Sequence, residues 1–218
     1  MNRDDAAVPG DRLLYLDCFS GLAGDMILAA LIDVGVPLDT VREAVTRLPL
    51  DGYGLRLERE RRQSIDAARF FVDVDEAQQP HRHYTEIREM IGAAGLAQGV
   101  TRIAQEIFAV LARAEARAHG ATVEDVHFHE VGAVDSIVDI VAACAAMELL
   151  DIDRVLCSAI PVGSGTVRCE HGLMPVPAPA TARLLVGAAI REAPIVGEAT
   201  TPTAAAVLTT LAESFGPA

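Results

Sequence analysis

The stretch that most constrains what this chain can fold into is V-H-F-H-E-V-G-A-V-D-S-I-V-D-I-V, residues 126–141, because its apolar period changes partway along. Val126, His127, Phe128 and His129 alternate, which predicts an extended segment with both imidazoles on one side. Gly132 breaks the alternation. From Ala133 the period becomes helical, and Asp135 and Asp139 fall at i and i+4 on one face. A strand, a break and a helix must therefore follow one another here. The junction carries His127, His129, Glu130, Asp135, Ser136 and Asp139, which can converge on one cation or one charged substrate. Each also has a plain structural use. Asp135 can complement a helix N-terminus, and an imidazole can be a partly buried hydrogen-bonding group.

The flanking sequence supplies the other elements. Residues 1–11, polar and acidic with Pro9 and Gly10, read as a disordered N-terminus. Residues 13–19 read as a buried strand and 20–25, S-G-L-A-G-D, as a small-residue turn. A helix follows over 26–34, closed by Gly35. A strand, a glycine-bearing turn and a helix start make either an anion site or an ordinary tight turn, flanked here by Asp17 and Asp25. Residues 38–48 form an amphipathic pattern. Residues 53–62 and 65–74 alternate with period two and predict a hairpin turning at Gln63-Ser64. A polar loop at 78–83 holds a second H-x-H, His81 and His83, which alone reads as surface decoration. Thr85 would cap a helix to Ala94. The longer helix over 100–119 would turn Ile103, Ile107, Val110 and Leu111 inward and Arg113, Glu115 and Arg117 outward.

After the central helix, expected to run to Leu150, residues 155–162 read as one strand and 163–166, G-S-G-T, as a flexible turn able to form a nest of backbone N–H groups. Cys169 and His171 alternate as His127 and His129 do. P-V-P-A-P at 175–179 rules out a central strand or helix interior and leads into a helix over 180–185. Residues 190–196 read as an edge strand, and the last helix starts near Pro202. Hairpins and crossovers coexist. The expected fold class is thus α/β (α+β), a mixed β-sheet with helices packed on it, in a single domain over 12–218.

Composition narrows the chemistry. The chain is 51% hydrophobic with 4% aromatic residues and no Trp, so its core is aliphatic. A net charge of −13 argues against nucleic-acid binding, which needs basic surface, and suits cations. All 18 basic residues are Arg, which excludes a Lys Schiff base and a phosphate-loop Lys. Cys18, Cys144, Cys157 and Cys169 form no C-x-x-C and no disulfide framework. The apolar run at 137–150 is interrupted by Asp139 and Glu148 and is too short to span a bilayer. With no signal-peptide pattern at the start, the expectation is a reduced, cytoplasmic protein without membrane association.

Four small-residue or proline-fixed loops carry polar groups: 17–25, 127–139, 163–171 and 198–203. Imidazole and thiolate near carboxylates suit a borderline first-row cation, Ni²⁺ or Zn²⁺, better than Mg²⁺. The metal candidates are His127, His129, Cys169 and His171, and the spacing is not that of a zinc finger. A nucleophilic Cys169–His171 pair is disfavoured, because alternate strand positions rarely give the required hydrogen bond.

The blocks D-C-F-S-G-L-A-G-D-M (17–26), V-H-F-H-E-V-G-A-V-D-S-I-V-D-I (126–140), G-S-G-T-V-R-C-E-H-G-L-M-P-V-P-A-P-A-T (163–181) and E-A-T-T-P-T (198–203) resemble LarC-type nickel-insertion proteins over nearly the whole chain. The resemblance implies a CTP-dependent cyclometallase of nickel-pincer cofactor biosynthesis. It would place Ni²⁺ into pyridinium-3,5-bisthiocarboxylic acid mononucleotide, making one carbon–nickel and two sulfur–nickel bonds and splitting CTP to CMP and pyrophosphate. Three departures stand out. The C-terminal nucleotide domain of LarC-type chains has no counterpart before Ala218, the His-rich loop is reduced to His81 and His83, and Ala204 stands where Gly usually follows T-P-T. CTP and its divalent cation are therefore expected on a partner domain in trans, and a homo-oligomer is expected. The implied roles divide as follows. Asp139 joins the metal candidates. Ser20, Gly21, Gly24, Gly163, Ser164, Gly165, Thr201 and Thr203 are substrate-holding candidates. The proton acceptor lies among Asp17, Asp25, Glu130, Asp135 and Asp139. The alternatives are a nickel- or substrate-holding subunit without turnover, and a stand-alone enzyme acting on a pyridinium mononucleotide without CTP.

Overall fold

The computed structural model describes residues 12–75, 82–128, 133–169 and 172–217. Residues 1–11 lie outside them, as do the site candidates His129, Glu130 and His171. Strand β1 (Leu13–Leu16) leads into helix α1 (Gly24–Asp33), followed by α2 (Leu38–Thr46) and the hairpin β2 (Tyr53–Arg62) and β3 (Ile65–Val74). Then come β4 (Arg82–His83), α3 (Tyr84–Ala93), α4 (Gln98–His119), β5 (His127–Phe128) and α5 (Val134–Leu149). The rest is β6 (Arg154–Cys157), β7 (Ile160–Ser164), β8 (Thr166–Cys169), β9 (Gly172–Pro175), α6 (Pro179–Leu184), β10 (Ile190–Val196), α7 (Pro202–Leu211) and β11 (Ala212–Phe215).

The fold is mixed α/β, and the mixture lies between sheets rather than within one. Strand β6 runs parallel to β1 on one side and to β11 on the other, and β7 runs parallel to β10. The pairs β2–β3, β4–β5 and β8–β9 are antiparallel. The expected single strand over 155–162 is two. Ser158 ends the first by donating its N–H to the Leu16 carbonyl (2.9 Å) while its Oγ accepts the Cys18 N–H (2.9 Å). Ile160 then donates to the Ala189 carbonyl (2.8 Å), which commits β7 to the other sheet. Gly163 and Ser164 belong to β7, and Gly165 turns the chain at φ 81°.

Helix α5 is the axis of the molecule. Only Asp135, Ala145, Glu148 and Leu149 escape full burial along it. Helices α1, α2 and α4 pack around it, and β3 lies against both α1 and α5. Ile137, Ile140 and Val141 meet an aliphatic core that includes Leu28, Val41, Ile107 and Leu111. Each such side chain contributes about 1.5–3 kcal/mol on burial. The hairpin has the bounds its alternation gave, and Gln63 and Ser64 turn it at φ 46° and 73°, as a two-residue primed turn requires. Helix α3 starts earlier than expected. His83, not Thr85, is its N-cap, because Glu86 accepts the His83 N–H at 2.8 Å.

Candidate functional site

The first turns of α1, α5 and α7 open into one cleft of about 440 Å³. Helix α1 contributes Gly24 and Asp25, α5 contributes Asp135, Ser136 and Asp139, and α7 contributes Thr201, Pro202 and Thr203. Glu198 stands beside α7, and Phe70, Phe71 and Val72 of β3 form a wall. Each helix start turns the positive end of its dipole toward the cleft, and the N–H groups of Asp25, Met26 and Ala204 are taken up by side chains there.

Local sequence explains the convergence. The segment before α1 is stitched to the segment before α7: Leu22 donates to the Ala199 carbonyl (2.9 Å) and Thr201 donates to the Leu22 carbonyl (3.0 Å). Thr201 caps α7 by accepting the Ala204 N–H (3.3 Å), and Pro202 occupies the first helical position, where a missing N–H costs nothing. Thr200 donates its hydroxyl to the Pro161 carbonyl (2.8 Å). Thr203 reaches Ser136 across the cleft floor (Oγ1–Oγ 3.4 Å), tying α7 to α5.

Glycines set how closely these parts approach. A Cβ at Gly24 would lie 2.5 Å from Asp139 Oδ2 and 2.8 Å from Asp139 Cβ, so α1 can begin against α5 only with glycine there. A Cβ at Gly21 (φ 109°) would overlap the Ala199 carbonyl, and one at Gly163 would overlap the Gly197 carbonyl. At 21, 24 and 163 the space freed by glycine is thus taken by the protein itself.

The electrostatics centre on Asp139. Burial pushes its carboxyl well above the ordinary carboxylate range, and the neighbouring charges of Asp25 and Asp135 push it further, against the opposing effect of the Asp25 N–H that it accepts. Its Oδ1 is buried without a hydrogen-bond partner. Burial also raises Asp25, against the Met26 N–H donated to it (2.9 Å) and the charge of Arg69. Two carboxyls on adjacent helix starts therefore favour holding a proton.

The cleft brings together Gly24, Asp25, Asp135, Asp139, Thr201 and Thr203 of the sequence-derived candidates. Asp17, Ser20, Gly21, Gly163, Ser164 and Gly165 do not line it. Cys169 ends β8 half-buried and pairs in register with Gly172. His127 is exposed on β5, and its ring meets that of His83, not Asp139. Among the described residues, no group of three or more His, Cys, Asp or Glu side chains is placed to hold a metal ion. Sequence reasoning missed the β3 wall at Phe70, Phe71 and Val72, because the alternation of 65–74 signals a strand but not what it faces. It also gave no site role to Glu198, although that residue lies inside a polar block it marked, and named Ser136 only among the groups of the central junction.

A family model described as nickel insertion protein matches residues 14–218. The chain is 55% identical over 207 residues to a protein of Geobacter metallireducens that is provisionally named a nickel insertion protein, covering 94% of this chain and 53% of that one. It is 45% identical over 206 residues to the pyridinium-3,5-bisthiocarboxylic acid mononucleotide nickel insertion protein of Staphylococcus epidermidis, covering 94% and 52%. The chain spans about half the length of the curated relatives it matches. No solved structure matches it. No helix among the described residues is long and apolar enough to cross a membrane.

Proposed function

This chain belongs to the nickel insertion protein family, and we propose that its cleft holds pyridinium-3,5-bisthiocarboxylic acid mononucleotide while Ni²⁺, the substrate metal, is inserted. The observation that carries the reading is the pairing of three helix N-termini with one deeply buried, unpartnered carboxylate oxygen, Asp139 Oδ1. The helix starts suit the anionic groups of the substrate, its phosphate and two thiocarboxylates. Half-buried Phe71 and Val72 give the cleft an apolar side, with the Arg56 and Arg69 guanidiniums over the Phe71 ring.

Forming a carbon–nickel bond at the pyridinium ring expels one proton, and a group in the cleft must take it. Asp139 has the right character. Its desolvated carboxylate is a stronger base than an exposed one, and Asp25 and Asp135 oppose its charge until a proton arrives. Asp17 and Glu130 are weaker assignments in this reading, because Asp17 does not line the cleft and Glu130 lies outside the described residues. Thr201, Thr203 and Ser136 supply hydroxyls for orientation.

We place CTP and its divalent cation on a further domain, in keeping with the greater length of the relatives and with the absence of Lys from this chain. Self-association and a cytoplasmic setting belong to the same reading. They are supported by the exposed Phe19 and Val196 and by the buried thiols of Cys18, Cys144 and Cys157, none of which forms a disulfide. The test is Asp139→Asn, assayed with the thiolated mononucleotide, Ni²⁺ and CTP in a preparation supplying the family's remaining half, with the metallated product read by mass spectrometry. Loss of product by roughly 10²–10⁴-fold with substrate binding kept is the expected result. Unchanged turnover would remove Asp139 as the proton acceptor.

A further inference from the structure

Outside the cleft, one histidine from each H-x-H tripeptide of the sequence, His83 and His127, comes against the other. Strand β4 pairs antiparallel with β5, and the register sets His83 directly opposite His127. Their ring centroids are 3.4 Å apart, with the planes at 46°. The backbone beneath the rings is fixed. Val126 and Phe128 are buried on either side of exposed His127, and the Phe128 ring packs 6.2 Å from that of Phe108. Tyr84, next to His83, donates its N–H to the Val126 carbonyl (3.1 Å), and Glu86 holds the His83 N–H. Neither histidine lines the cleft.

We propose that His83 and His127 form a two-imidazole docking site for a borderline first-row divalent cation, Ni²⁺ in the setting inferred above. Cross-strand neighbours point to one side of a ribbon, so two ring nitrogens can serve one ion after small χ rotations. Imidazole selects Ni²⁺ or Zn²⁺ over Mg²⁺ and Ca²⁺, which prefer oxygen. Two protein ligands leave the other coordination positions to water. An ion held this way exchanges, which suits a cargo that must move on and not a resident cofactor. The site rests on the nickel reading only for the identity of that cargo.

The experiment is calorimetry of the intact chain with Ni²⁺ alone, near neutral pH, for the wild type, His127→Ala, His83→Asn, the double variant and His119→Ala as control. Asn at position 83 keeps a residue type suited to an N-cap, so α3 is preserved while the imidazole is lost. Each single variant should bind at least tenfold more weakly, and the double no more weakly than either single. The control should match the wild type. Broadening of both histidine ring resonances by the first equivalent of Ni²⁺ should accompany binding and decides the matter should the Asn variant fold poorly. Wild-type affinity in both single variants, or losses that simply add, overturns the pair. Because no substrate is present, the two readings fail separately. A chain that metallates the mononucleotide yet binds Ni²⁺ independently of these rings sinks only this inference. A chain that binds through them and never metallates sinks only the proposed function.

Discussion

The cleft and the His83–His127 ribbon handle polar groups in opposite ways. In the cleft, Asp139 is nine-tenths out of water, one of its oxygens has no partner, and two more carboxylates face it. On the ribbon, His127 is exposed and His83 half-buried, and their backbone is anchored by buried neighbours. Burial makes Asp139 a strong base at a cost to folding. Exposure makes the histidines accessible ligands at almost no cost. Stability and function should therefore be opposed in the first region and independent in the second.

The largest expected effect comes from closing the cleft at its tightest point. Gly24→Ala would drive a methyl to within 2.5 Å of Asp139 Oδ2 and 2.8 Å of its Cβ, so that the Asp139 side chain or the start of α1 must shift. Overpacking of this kind costs about 1–3 kcal/mol. Urea denaturation should show that loss for Gly24→Ala, and Gly24→Ala combined with Asp139→Ala should recover part of it, since the two changes share one contact. Strict additivity would mean that α1 shifts as a body and that Asp139 does not define the cleft floor.

Asp139→Asn should go the other way and raise stability at neutral pH by about 1–3 kcal/mol, the cost of a buried polar group left unsatisfied. The amide can still accept the Asp25 N–H, and it offers N–H groups toward Asp25 and Asp135. The pH dependence fixes the sign. The folded protein keeps the Asp139 proton to a higher pH than the unfolded chain does. Wild-type stability should therefore decline as pH rises above the unfolded value of about 3.9, level off once the folded carboxyl has ionised, and show a smaller decline in the Asn variant. Equal melting temperatures for the two proteins across that window would mean that Asp139 is hydrated and not the strained base argued here.

These groups were unequally legible in the sequence. The hairpin bounds were readable because period-two alternation and a Gln63-Ser64 turn are local signals. The helical face of Asp135 and Asp139 was readable for the same reason. The convergence of three helix starts was not, since it depends on the Leu22–Thr200 bridge between segments far apart in the chain. The break at Ser158 was hidden because 155–162 is continuously strand-like, and only the hydrogen bonds to Leu16 and Cys18 divide it. His83 looked like decoration because a single H-x-H carries little information. The duplication of that tripeptide at 81–83 and 127–129 was the available signal, and strand pairing gave it meaning. The glycines at 21 and 163 were visible as turn residues, but what fills the space beside them is a tertiary fact.

A smaller effect probes whether α7 is held by its own cap or by the cleft. Thr201→Ala removes the acceptor for the Ala204 N–H and should cost about 1 kcal/mol. Thr201→Ser should restore most of it. Because Thr201 also lines the cleft, affinity for the mononucleotide should follow the hydroxyl and not the methyl, so calorimetry should rank the serine variant near wild type and the alanine variant below both. Equal substrate affinity in all three would confine Thr201 to capping.

The smallest expected effect is the one that separates the two regions most sharply. His127→Ala removes an exposed ring whose backbone is anchored by Val126 and Phe128. Surface substitutions of this kind stay within about 0.5 kcal/mol of the starting stability. The melting temperature should thus barely move, and what change occurs should come from lost contact with the His83 ring. In the presence of Ni²⁺ the comparison changes. Wild type gains stability in proportion to the logarithm of free metal once a native-state site is occupied, whereas the alanine variant should show a flatter response. A wild-type melting curve that ignores Ni²⁺ would leave the two histidines as packing partners and return the chemical role to Asp139 and its cleft. A Ni²⁺-dependent rise that vanishes with either ring would establish that this fold keeps cargo binding on a surface whose residues are free to change without endangering the core.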